Sequence, residues 1–188
     1  MSYATMFEVP DSGELRSVYQ YGNSWLGAMR WWRTLGEHYE PGPGAKDLHV
    51  PDFDFMRDCV MPLDEEPMTR IWKLAAHPEI LAHHRAVLKV TFDRCIVRAE
   101  DISRLSGDLL KFVAEFGTEG TGHATVIARD LVQVRSLEKK EFVGVCFNWT
   151  SVTDAWTVYG EAEDDSRLYD VSRDSGHWFL YQESEAAP

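Results

Sequence analysis

Lys139-Lys140-Glu141-Phe142-Val143-Gly144-Val145-Cys146-Phe147-Asn148-Trp149 is where the chain changes texture. Before it, apolar residues recur at spacings of three and four, the signature of one helix face. After it come short β-rich runs separated by turn residues. Those runs are Trp156–Tyr159, Arg167–Val171 and His177–Tyr181, parted by Thr150–Asp154, Gly160–Ser166 and Ser172–Gly176. Their spacing of roughly ten residues reads as an antiparallel meander.

Upstream, Glu100 and Asp101 open a helix with Ile102, Leu105, Leu109, Phe112 and Phe116 on one face. Acidic residues there complement the positive end of the helix dipole. The glycines of Gly117–Gly122 form a link to a second helix carrying Ala124, Ile127, Ala128, Leu131 and Val134. Over 86–92, Leu88, Val90 and Phe92 alternate with Val87, Lys89 and Thr91, which predicts a strand continued by Cys95–Val97. Pro62 and Pro67 frame Asp64-Glu65-Glu66, the acidic start of a helix with Met68, Ile71, Trp72 and Ala75. Pro78 interrupts it, and a further helical piece covers Glu79 to His84.

At the front, Tyr3–Val9 predicts a strand stopped by Pro10. Leu15, Val18, Gly22, Trp25, Met29, Trp32 and Gly36 then keep a helical spacing, which predicts one long helix from an Asp11-Ser12 cap to Tyr39. Gly22-Asn23 is the weak point of that helix. Glu40–Asp47, with two Pro-Gly pairs, is a loop. The whole reads as one α+β domain over residues 1–188, its helices in the first three-quarters packed on an antiparallel sheet formed largely by a C-terminal β-meander.

Charge narrows the function classes. There are 31 acidic and 19 basic residues, a net of −12. Residues 1–66 carry −7, residues 67–141 carry +2 and residues 142–188 carry −7. Nucleic-acid binding draws on clustered Lys and Arg, and anionic membranes do the same, so both are excluded as expectations. Basic proteins, cations and neutral small molecules remain. Hydrophobic residues make up 44% of the chain, enough to form a core and not a disordered segment. Cys59, Cys95 and Cys146 are odd in number and hold no C-x-x-C pair, so neither a disulfide framework nor a zinc-ribbon site is expected. With no leader-like segment and no 18-residue apolar run, a cytoplasmic location is the expectation.

Motifs for chemistry are sparse. Gly117–Gly122 lacks the order and the lysine of a phosphate loop. Asp52, Asp54 and Asp58 lack the glycine turn of a calcium loop. Among seven histidines the nearest grouping is His77, His83 and His84, with Pro78 breaking the turn between them. No catalytic residue, cofactor or metal is assigned from these patterns. Two other features suggest binding. Trp31 and Trp32 are adjacent, so both cannot face one narrow helix stripe, and one is expected to be partly exposed or to serve a second contact. Glu161-Ala162-Glu163-Asp164-Asp165 concentrates four carboxylates whose mutual repulsion a basic partner would relieve.

The expectation is therefore a non-enzymatic acidic binding module, an inhibitor or immunity-type protein that neutralises a basic partner such as a toxin or nuclease. Its partner-binding residues would be Trp31, Trp32, Asp52, Asp54, Asp58, Glu161, Glu163, Asp164 and Asp165. Two alternatives stand beside it. One is a small enzyme whose site gathers scattered Asp, Glu and His residues. The other is a self-associating scaffold subunit, a homodimer through the tryptophan-rich helix.

Overall fold

The computed structural model describes residues 3–11, 15–22, 24–39, 74–92, 95–135, 142–149 and 177–182. Strands β1 (Tyr3–Pro10) and β2 (Arg16–Gly22) precede helix α1 (Ser24–Tyr39). Helix α2 (Ala82–Lys89), strand β3 (Cys95–Arg98), a 3₁₀ turn (Ala99–Asp101) and helix α3 (Ile102–Thr121) follow. Helix α4 (Ala124–Arg135), β4 (Phe142–Asn148) and β5 (Trp178–Phe179) complete the described elements. The strands form one mixed sheet in the order β2-β1-β4-β3-β5. β5 runs parallel to β3, and the other pairs are antiparallel.

The class is α+β, as the sequence implied. Of the sheet's five described strands, β1 and β2 come from the first 22 residues, β3 from mid-chain, and β4 and β5 from the last quarter. β4 inserts between β1 and β3 and does not pair with β5. The predicted runs 156–159 and 167–171 lie outside the described residues.

Alternation along the strands sorts residues between two faces. Ala4, Met6, Cys95, Val97, Val145 and Phe147 join the large core with all four helices. Phe7, Val9, Ile96 and Cys146 form a smaller cluster on the other face with Leu15, Val143 and Phe179. Cys95 and Cys146 are both buried free thiols on opposite faces. Gly144 is required where β4 meets β3, because a Cβ there would overlap the Val97 carbonyl oxygen.

α3 follows its sequence pattern closely. Ile102, Leu105, Leu109 and Phe112 are fully buried, each contributing roughly 1.5–3 kcal/mol. α4 buries Ala124, Ile127, Ala128, Leu131 and Val134 as their spacing implies. Gly117, at φ 74° and ψ 172°, kinks α3, so the predicted glycine link contains one more helical turn.

Two expectations are corrected. The long N-terminal helix exists only from Ser24 onward, and Arg16–Gly22 is a strand paired with β1. Val18, Tyr19 and Tyr21 suit a pleated strand, and pairing with β1 outweighs a helical spacing that Leu15 and Val18 fit by coincidence. The predicted strand at 86–92 is instead the end of α2 and a turn. Ala86, Val87, Leu88, Val90, Thr91 and Phe92 are all buried, so the apparent alternation never divided core from solvent.

Trp31 and Trp32 both lie in the core, and neither is partly exposed. The Trp31 indole donates to the Thr121 carbonyl at 2.6 Å and packs edge-on to Trp149. The Trp32 indole donates to Thr91 Oγ1 at 2.8 Å. Helices α1, α2 and the end of α3 surround the adjacent indoles, so two directions on α1 both lead inward. Among the described residues no helix is long and apolar enough to cross a membrane.

Candidate metal centre

Three helices bring nitrogen and oxygen donors to one point. α1 ends in His38 and Tyr39, α2 carries His83 and His84, and α3 supplies Glu115 just before its kink at Gly117. The turn before α2 is set by Pro78, with hydrogen bonds from His77 N–H to Leu74 O and from Ile80 N–H to His77 O. Arg85 Nε then donates to Ala75 O, which fastens α2 to that turn. Leu81 caps α2 in an extended conformation with no side-chain cap of its own, and its N–H donates to the Tyr39 hydroxyl at 2.9 Å.

His84 is fully buried. Its Nε2 lies 2.8 Å from Glu115 Oε2, and its Nδ1 lies 2.7 Å from the Tyr39 hydroxyl. His83 approaches the same carboxylate oxygen at 3.1 Å. His38 is exposed, and its ring stands edge-on to Tyr39, His84 and Phe116. One donor atom from each of His38, His84 and Glu115 lies within 4.8 Å of the other two. In a tetrahedral site with bonds of about 2.0–2.1 Å, ligand atoms stand roughly 3.3–3.5 Å apart. His84 Nε2 and Glu115 Oε2, at 2.8 Å, would have to part by about 0.5 Å, and exposed His38 would have to turn toward them.

The electrostatics suit ligation. Burial holds His84 below the ordinary histidine range, against the opposing pull of Glu115, so the imidazole is neutral. Partial burial pushes Glu115 upward, but hydrogen bonds from His83 and His84 outweigh it and hold the carboxyl below the usual range. A neutral imidazole and an ionised carboxylate are the forms a metal ion binds.

Sequence proximity grouped His77, His83 and His84 without assigning a metal, and only His84 of these belongs to the donor set. His38 lies 45 residues before His83 and Glu115 lies 32 after it, on different helices. The available signal for Glu115 is its place beside Phe116 and three residues after Phe112, at the margin of an apolar stripe. His77 stays outside the donor set, with its ring against Tyr39. Of the residues expected to bind a partner, Trp31 and Trp32 are core, and Asp52, Asp54, Asp58, Glu161, Glu163, Asp164 and Asp165 lie outside the described residues. No protein-family model matches the chain, nor does any curated protein or solved structure.

Proposed function

We propose that the protein binds a divalent transition-metal ion through His38, His84 and Glu115. The observation that carries this reading is the support behind the donors. His84 is held from behind by Tyr39, and Glu115 is held from the side by His83. Outer partners of this kind orient metal ligands and raise their affinity. Two imidazoles and one carboxylate favour zinc, cobalt, nickel or copper over magnesium or calcium, which prefer all-oxygen shells. A net charge of −12 also favours a cationic ligand.

Three protein ligands leave a coordination position for water or substrate, the arrangement of catalytic zinc sites. Such an ion polarises a carbonyl or phosphoryl oxygen and lowers the pKa of its bound water. The reading is thus a small metal-dependent enzyme with a site assembled from scattered residues. Equilibrium dialysis against zinc tests it, with one ion per chain expected. His84→Ala and Glu115→Gln, checked for folding by circular dichroism, are expected to weaken binding at least 100-fold. Unchanged zinc binding in both folded variants would overturn the assignment.

The charge distribution supports a second reading, docking of a basic protein on the acidic segments at 1–66 and 142–188. Reversal of charge at Glu161, Glu163, Asp164 and Asp165 should then abolish salt-sensitive capture of one basic partner from lysate.

A further inference from the structure

We infer that Tyr39 is the positioning residue that sets the tautomer of His84, and that metal loading reverses the hydrogen bond between them. The metal half of this inference rests on the reading just given. The metal-free half rests on the hydrogen-bond geometry around a neutral His84.

A neutral imidazole has one N–H and one lone pair. An ionised carboxylate only accepts, so the His84 nitrogen 2.8 Å from Glu115 Oε2 must be the donor. That places the proton on Nε2 and leaves a lone pair on Nδ1. The partner of that lone pair is the Tyr39 hydroxyl, 2.7 Å away. Tyr39 oxygen already accepts from Leu81 N–H, which fixes its position and leaves its proton to donate to Nδ1. A single direction of donation results, from Leu81 N–H to Tyr39, from Tyr39 O–H to His84 Nδ1, and from His84 Nε2–H to Glu115.

A metal at Nε2 needs the lone pair there. The imidazole stays neutral, so its one proton must now sit on Nδ1. Nδ1–H then donates to Tyr39 oxygen, which accepts from both Leu81 and His84 while its own O–H turns away. The proton count on His84 is unchanged, and only the bond direction inverts. Tyr39 serves both states because a hydroxyl donates or accepts. A phenylalanine does neither, and would leave Nδ1–H of fully buried His84 without a partner in the loaded state.

The test is nitrogen NMR of ¹⁵N-histidine-labelled protein at mildly alkaline pH, without metal and with zinc. Metal-free protein is expected to show His84 protonated on Nε2, and zinc-loaded protein on Nδ1. Tyr39→Phe is expected to move the metal-free Nδ1 resonance toward that of an unbonded nitrogen and to weaken zinc binding about 10–100-fold. A metal-free His84 protonated on Nδ1 overturns the inference, and this needs no variant to fold. If zinc fails to bind, the metal reading falls while the metal-free tautomer still decides the role of Tyr39. Zinc bound with Nε2 still protonated overturns the reversal.

Discussion

The Trp31 indole on α1 donates to the carbonyl oxygen of Thr121, at the far end of α3, across 90 residues of sequence. A carbonyl in the last turn of a helix has no intrahelical partner, so this bond satisfies a buried acceptor. Thr34 Oγ1 donates to Gly120 O beside it. Together they fasten α1 to the segment beyond the Gly117 kink, and so fix the end of α1 that carries His38 and Tyr39 relative to Glu115.

Trp31→Phe removes that bond and part of the indole volume. The expected loss of stability is about 2–4 kcal/mol, read from urea unfolding. A loss under about 0.5 kcal/mol would mean that the indole is not a core anchor.

Two glycines carry backbone requirements of different kinds. Gly144→Ala drives a methyl group into the Val97 carbonyl and should cost about 1–3 kcal/mol by forcing β3 and β4 apart. Gly117→Ala meets open space, so any cost comes only from its φ of 74° and ψ of 172°, about 1–3 kcal/mol. Hydrogen exchange separates the two. The first variant should lose protection in β3 and β4, and the second in the last turn of α3.

Alkaline pH should destabilise the fold through two phenols. Burial first, then the carboxylates of Asp130 and Asp108, push Tyr21 and Tyr181 far above the ordinary tyrosine value. Unfolded tyrosine ionises near pH ~10 while these two stay protonated, so the native state then holds more protons. Stability is therefore full below about pH 10 and falls as pH rises beyond it. Phenolate absorbance should show fewer than all seven tyrosines titrating before the protein unfolds. Complete, reversible ionisation in the folded state would contradict this.

Much of the helical part of the fold was legible because burial and spacing agree there. Ile102, Leu105, Leu109 and Phe112 sit on one face and are all buried. The errors came where two periods fit the same residues. Leu15 and Val18 suit a helix stripe, yet Arg16–Gly22 pairs with β1 and is a strand. Val87 to Phe92 alternate on paper, yet every apolar residue there is enclosed. The order of strands was not legible, since β5 joins β3 in parallel across some 80 residues, a non-local pairing with no local mark. The donor cluster was not legible as a site, and of its three residues only His84 fell in the histidine grouping that the sequence shows. His83 and His84 are adjacent in sequence, whereas His38 and Glu115 join them only when three helices converge.

Anomalous diffraction at the zinc absorption edge, on crystals of zinc-loaded protein, shows directly whether the three helices hold a metal between them. One strong peak is expected, bonded to a nitrogen of His38, to Nε2 of His84 and to a carboxylate oxygen of Glu115, at about 2.0–2.2 Å from each. Zinc held elsewhere, with His84 Nε2 still hydrogen-bonded to Glu115, would contradict it.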